Sequence, residues 1–441
     1  MKDIKEVDNS DTLSFETAEE FQFTKNYVEG KSAKGSIRRL DFSYSGLLAA
    51  RIFLGFAEGE RLCDLLTIID ILIRKMFSGN FIGGMGPAIV LHLSSFYTRR
   101  ELQLRLALYL SSASLAGAFS GLLAYGIIRL DGVSNLAGWS WIFILEGLFT
   151  SCFGILSFFT FPASIETNKF LTTSDKAILK ERLLRDRPNL ADENQTFSWS
   201  DIVASLTSVH VVINSISHFM VGTNVLSLVY FQPTIIKSLG FSEARTQLIS
   251  FPPYLVAFVL TLVTAFFSDR YKARSFTAGA CTLLSLAGFL MFRLSEPSQK
   301  SIKYSSLFLS ISGSQAAVSS LNAWQANNSE GHYRRACSIA VAFVAVNLGG
   351  IFSTWIFPSS EKPQYKTGST INAYFAAGIL INILINFFWL RCANLYKSKN
   401  SDMLLAGYRL HDQSDVIMDF KEKKRAWAEL GDRHPDFVYS Y

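Results

Sequence analysis

The chain has 441 residues, of which 49% are hydrophobic and 14% aromatic, and charged residues make up only 18%, below the ~25% usual in soluble domains. Mean hydropathy is +0.24, so a soluble globular domain is excluded as the class. The net charge of +6 calls for no nucleic-acid partner, because the basic residues sit in short loops between apolar runs. The cysteines Cys63, Cys152, Cys281, Cys337 and Cys392 are scattered with no CxxC spacing. They signal neither a disulfide framework nor a metal site, and no cofactor is expected.

In chain order, residues 1–42 form a polar tail of mixed charge with no cleavable signal pattern. Residues 43–162 carry a first hydrophobic block, including spans expected at 104–128 and 139–161. A polar central loop at 163–206 follows, in which "TTSDKAILKERLLRDR" reads as a surface helix capped by Thr173 or Ser174. Residues 207–393 hold six further stretches, at 209–230, 248–267, 276–294, 304–323, 339–357 and 371–390, and 394–441 is a polar tail. Each stretch is close to the ~20 residues that cross a bilayer. In lipid the backbone must be satisfied within the segment, and the alternation of a membrane barrel is missing, so the spans are expected to be helices. The fold class read here is an all-α polytopic membrane protein.

Basic residues gather on every second connection: Arg99, Arg100 and Arg105; Lys176, Lys180, Arg182 and Arg185; Arg270, Lys272 and Arg274; Arg334 and Arg335; Arg391, Lys397 and Lys399. The positive-inside rule then places these connections and the C-terminus in the cytoplasm.

Polar residues within spans are the candidate site, because burial in hydrocarbon is costly unless they face a cavity. Arg51 offers a bidentate partner to a carboxylate and serves equally as a helix-end residue paired with Glu58 or with headgroups. Glu146 lies about 10 Å into its span, where it either carries a proton or makes a structural hydrogen bond. His218 and Asn224 are candidates to line a cavity; a satisfied core histidine is the plain alternative. Tyr230 and Gln232 precede Pro233, where the helix is expected to break. Gln315, Asn322, Trp324 and Gln325 form a polar stripe, Asn327 and Asn328 are expected to cap the helix end, and Asn347 stands alone in its span. Small residues at Ala113, Gly117 and Gly121 suggest close helix packing.

Two motifs carry a resemblance. "FFSDRYKAR" (266–274) resembles the acidic-basic loop signature of the major facilitator superfamily, with Asp269, Arg270 and Arg274 in gating roles, and "RIFLGFAEG" (51–59) resembles its fourth-span arginine-glycine motif. Longer segments, among them "SSFYTRRELQLRLALYLSSASLAGAFSGLLAYGI", "YFQPTIIKSLGFS", "NAWQANNSEGHYRRA" and the tail "LGDRHPDFVY", resemble the fungal allantoate permease branch. The resemblance implies two facing helical bundles, of which the C-terminal six-helix half is complete. It also implies proton-coupled uptake of a small carboxylate-bearing nutrient or vitamin by alternating access, usually at the plasma membrane. Against that pattern the first three spans are missing after "GSIRRLDF", and residues 60–83 look inserted into the fourth. A non-transporting sensor is the alternative; a membrane enzyme is disfavoured, since no His, Asp or Cys cluster marks a membrane face.

Overall fold

The computed structural model describes residues 85–135, 171–186, 199–238, 240, 243–296, 298–361, 364–408 and 425–441 except 428, with scattered positions of 141–168. Arg51, the expected insertion at 60–83 and most of the span expected at 139–161 lie outside the described residues. Among the described residues, α1 (Met85–Phe96) and α2 (Leu102–Ile127) precede the central loop together with helical positions in 141–149, and α3 (Thr173–Asp186) and α4 (Trp199–Leu206) lie within it. Six long helices follow: α5 (Val209–Ser238), α6 (Glu243–Tyr271), α7 (Arg274–Leu294), α8 (Lys300–Asn327), α9 (His332–Ser353) and α10 (Lys366–Lys399). They overlap the six stretches expected, mostly extending beyond them, although α9 ends at Ser353, short of the expected 357. A short α11 (Ser401–Leu405) leads into the tail. No strand occurs among the described residues.

Among the described residues, five helices are long and apolar enough to cross a membrane: α5, the 248–271 part of α6, α7, α9 and α10. The sixth, α8, is rich in serine, and most of its length is buried by other helices. It packs on α5, α6, α7 and α2. Its hydroxyls escape lipid by bonding back along the helix, as Ser306 does to the Lys303 carbonyl (2.7 Å) and Ser310 to that of Ser306 (3.0 Å). The exposed surface of α6, α7, α9 and α10 is instead apolar, with Val259, Phe266, Phe276, Leu283, Val344, Ile351, Ile381 and Leu384 facing outward. That arrangement suits hydrocarbon outside and a polar axis inside.

Close approach fixes two helix pairs. A Cβ at Gly288 of α7 would stand 2.9 Å from the Ser306 carbonyl oxygen of α8, and one at Gly313 of α8 would stand 2.6 Å from that of Cys281. Between them Ser285 and Ser314 share a hydrogen bond of 2.7 Å. On the other side, a Cβ at Gly222 of α5 would meet Val346 of α9 at 2.5 Å, and Thr223 donates to the Gly349 carbonyl (3.1 Å). The tightest small-residue contacts thus sit on α5, α7, α8 and α9. Ala113, expected to pack closely, is exposed.

Two local expectations are corrected. The helix α5 runs unbroken through Pro233 to Ser238, because losing one N–H removes a single rung from a helix held by neighbours along its length. The cap of α3 is Thr172, one residue upstream of the candidates: its Oγ1 accepts the Asp175 N–H (3.3 Å), and Asp175 Oδ2 accepts the Thr172 N–H (3.3 Å). Reciprocal bonding of this kind satisfies two donors at once.

Candidate functional site

One face of α5 carries His210, Asn214, Ser217, His218, Asn224 and Gln232, all buried. Their spacing of three, four and multiples thereof stacks them on one side of the helix. From His210 to Gln232 the stripe extends about 33 Å, roughly the ~30 Å of a hydrocarbon core. It bonds to α8 and α10, while α9 packs on another face of α5 through Gly222 and Thr223.

Three residues of the stripe, His210, Asn214 and Gln232, bond to groups on other helices. His210 Nδ1 lies 3.0 Å from Asn386 Oδ1 of α10, with its ring edge-on to Trp324 at 5.9 Å. Asn214 Nδ2 donates to Gln325 Oε1 of α8 (2.9 Å), and Gln325 Nε2 donates to the Ser338 carbonyl of α9. His218 Nδ1 lies 2.8 Å from the Asn214 carbonyl, which assigns the proton to Nδ1 and leaves Nε2 as an acceptor. Asn322 stands beside that ring, yet Nε2 makes no hydrogen bond among the described residues. Asn372 of α10 donates to Ser227 (2.8 Å), and Gln232 Nε2 to the Ser250 carbonyl (3.3 Å). Asn224 Oδ1, Gln232 Oε1 and Asn372 Oδ1 also lack a donor there. Fully buried acceptors without donors call for a ligand or water that supplies protons.

Of the sequence candidates, His218, Asn224, Gln232 and Asn322 join this stripe. Gln315 is half-buried, whereas Glu146, Tyr230 and Asn347 are exposed and do not join it. Asn347 donates only within its own helix, to the Phe343 carbonyl (2.8 Å), one turn beyond the point where Gly86 of α1 crosses Phe343. Trp324 is buried, but its Nε1 donates to the Ser440 carbonyl of the tail (2.9 Å), so it belongs to the end of the bundle. His210, Asn214, Asn372 and Asn386 were not singled out from sequence; the run His210, Asn214, His218 at four-residue spacing was the available signal.

Replacing Asn214 by Ala is expected to leave Gln325 Oε1 buried without its donor, costing about 1–3 kcal/mol. In the double variant with Gln325→Leu the loss should be smaller than the sum. Unfolding midpoints of the four proteins in detergent measure the coupling, and strict additivity would show that the pair does not interact.

The basic connections converge at one end of the bundle. Asp269 on α6 pairs with Arg274 on α7 (3.2 Å) and accepts the Leu104 N–H of α2 (2.9 Å). Of the two arginines of the motif, Arg274 is thus the partner of Asp269, not the adjacent Arg270. Arg274 also donates to the Arg99 carbonyl, which takes a second bond from Asn327 (3.2 Å). Gln103 of α2 bridges Ser268 and Ser320. Arg99 pairs with Asp186 at the end of α3 (3.5 Å), and Arg334 with Asp201 of α4 (2.8 Å). A buried pair, Arg335 and Glu330 (3.6 Å), holds the start of α9. Asn328 caps the end of α8 as expected, its N–H donating to the Trp324 carbonyl (3.3 Å), while the side chains of Asn327 and Asn328 reach to the carbonyls of Arg99 and Ser440.

The C-terminal segment is folded onto this same end. Phe437, Tyr439, His434 and Trp427 are buried. Tyr439 exchanges two hydrogen bonds of 3.0 Å with Asn394, and its hydroxyl donates to Asp432 (2.9 Å). Burial, and then the Asp432 carboxylate beside it, push the Tyr439 hydroxyl above the ordinary tyrosine range. Because the folded value is raised, this contribution is complete below the unfolded value of about 10 and is lost only at more alkaline pH.

These features define a polytopic helical membrane protein with a buried polar axis and a closed basic end. The profile of the Major Facilitator Superfamily matches residues 71–354, and the chain belongs to that family. It is 28% identical over 384 residues to an uncharacterized transporter of Schizosaccharomyces pombe, covering 87% of this chain and 70% of the relative. It is 27% identical over 375 residues to a high-affinity nicotinic acid transporter of Saccharomyces cerevisiae, covering 84% and 66%. Among solved structures, a proton:xylose symporter of the superfamily shares the fold with a TM-score of 0.52 at 14% identity, over 68% of this chain and 66% of that one. The chain spans about two thirds of the length of such relatives. It is an integral membrane protein of the major facilitator fold, and the relatives are named as transporters rather than enzymes.

Proposed function

We propose that the protein imports a small organic anion or vitamin together with protons, by alternating access, as a member of the allantoate permease branch. The buried stripe on α5 carries this reading. Amide and imidazole groups placed along the axis of a bundle, with acceptors left unpartnered, suit a polar solute and a titratable ligand better than they suit packing alone. His218, Asn224, Gln232, Gln315 and Asn322 are proposed to line the path. Arg51, and Glu146 and Asn347 on exposed faces, are proposed to complete it where further spans would cover them. The relative named as a nicotinic acid transporter supports a carboxylate-bearing substrate, and the symporter fold supports proton coupling.

Absence of three spans after residue 42 and an insertion at 60–83 belong to the same proposal, under which the exposed face around Asn347 would be covered in a longer relative. The basic end is assigned to the cytoplasm by its charge, and the plasma membrane is the proposed location. The test is proton-dependent uptake of labelled nicotinate in transporter-deficient yeast, beside a version with three family-like spans restored and residues 60–83 removed. Uptake by the restored version, lost in its His218→Gln variant, is the expected outcome. Binding without uptake by either version would favour the sensor reading.

A further inference from the structure

The tail motif "LGDRHPDFVY" has no part in the solute path, yet it is among the most densely bonded segments of the described chain. Its backbone and side chains are held by helices of the C-terminal bundle from three directions. From α10, Lys397 donates to the carbonyls of Asp432 (3.0 Å) and Phe437 and lies over the Tyr439 ring at 3.8 Å, while Asn394 binds Tyr439 and the Tyr441 hydroxyl. From the α8 end, Asn328 pairs with Ser440 through both backbone N–H (2.8 Å) and carbonyl (3.0 Å). From α9, Arg334 donates to the carbonyls of Glu429 and Leu430 (3.0 Å each) and pairs with Asp432 (3.3 Å). At Gly431 the backbone is left-handed (φ 57°), and a Cβ would collide with Arg334 Nη1 at 2.5 Å. The Tyr441 carbonyl accepts the Arg274 N–H at the start of α7 (2.9 Å).

Among the described residues, one side chain from before the central loop is seen to touch this docked tail. Arg99, between α1 and α2, lies over the Phe437 ring at 4.8 Å and donates to the Val438 carbonyl (3.4 Å). Its other guanidinium contacts go to Asp186 of α3, and its own carbonyl is held by Arg274 and Asn327. Among the described residues, the tail therefore rides on one half of the molecule and meets the other through Arg99. Opening this end requires the two sides to part, and the tail is placed to oppose that.

We propose that residues 430–441 form a clamp that holds the basic end closed, with Arg99 as the hand-over point between the halves. The clamp rests on the alternating-access reading of this same end. Release of Arg99 from Phe437 and Val438 must precede opening there, while the tail stays attached to α8 and α10. A cation–π contact and one charge-assisted hydrogen bond are modest in size, which fits a catch that opens during turnover.

The test reads opening directly, without substrate. Ala326, fully buried in the cluster that α8 shares with Leu102 and Leu106 of α2, is changed to Cys in the full chain with its native cysteines replaced by Ser. Labelling by a membrane-impermeant maleimide is followed by mass spectrometry in nanodiscs. Arg99→Ala, Phe437→Leu and removal of 437–441 are each expected to speed labelling about tenfold. Arg99→Ala keeps the backbone groups that bind Asp186, Arg274 and Asn327, and Phe437→Leu keeps the apolar anchor, so both remain readable if the deletion fails to fold. Unchanged labelling in the two point variants overturns the clamp. Acceleration in Arg99→Ala alone also overturns it, because the Asp186 pair would then be the catch. Failure of nicotinate uptake leaves this readout intact, so the two proposals fail separately.

Discussion

Replacing Arg274 by Gln is expected to destabilise the protein by about 3–5 kcal/mol, the cost of stranding one member of a buried ion pair. Arg274 and Asp269 have side chains only 4% and 13% exposed, so little water is available to compensate. The same guanidinium binds the Arg99 carbonyl, and the Arg274 N–H binds the Tyr441 carbonyl. One substitution therefore loosens α2, α6 and α7 together, while the backbone N–H of residue 274 still holds the tail. Asp269→Asn should cost less, because an amide oxygen can still accept the Leu104 N–H. The order is read from unfolding midpoints in detergent at one pH. Equal effects of Arg274→Gln and an exposed control such as Arg293→Gln would mean that the buried pair is not a structural element.

Gly313→Leu is expected to be comparably severe, about 3 kcal/mol or more, through overpacking. The atoms a Cβ would meet are backbone atoms of Cys281 and Ser285, and backbone cannot swing aside as a side chain can. The two helices must move apart, which breaks the hydrogen bond between Ser285 and Ser314 and opens contacts on both sides of α8. The same change at Gly279, with open space around its Cβ position, serves as the control and should shift the midpoint little. A cross-link between cysteines placed on α7 and α8 would report the separation independently. If Gly313→Leu leaves both midpoint and cross-linking unchanged, helix contact there is looser than the distances indicate.

Much of the fold was legible in the sequence, and the reasons are local. Apolar runs of bilayer length recur at 209–230, 248–267, 276–294, 339–357 and 371–390, and helices occupy them, save for residues 354–357. A chain in hydrocarbon has to bond its own backbone, so length and polarity of a run suffice. The alternation of basic connections was equally plain, and the bonds among Arg99, Asp186, Arg274 and Arg334 gather those connections at one end. Even α8, too serine-rich to pass as a lipid-facing helix, was placed correctly because its length and position between loops matched.

The site was legible only in part. His218, Asn224 and Asn322 could be chosen because a polar residue in an apolar run is conspicuous. Nothing in the sequence showed that Asn214 meets Gln325, which is 111 positions away, or that His210 meets Asn386, 176 positions away. Such pairs depend on the rotation of each helix about its axis and on which helices are neighbours. Tyr230 and Asn347 illustrate the converse: a polar or aromatic residue in a span can as readily face outward.

By itself, then, the sequence determined the class of protein, the number and extent of the helices after the central loop, and which end carries the positive charge, since each follows from residues close together in the chain. Tertiary structure alone decided which polar side chains share the interior, that Asp269 pairs with Arg274, and that the tail closes over the basic end. Those outcomes are set by contacts between distant segments, where packing, and not local pattern, chooses the partner.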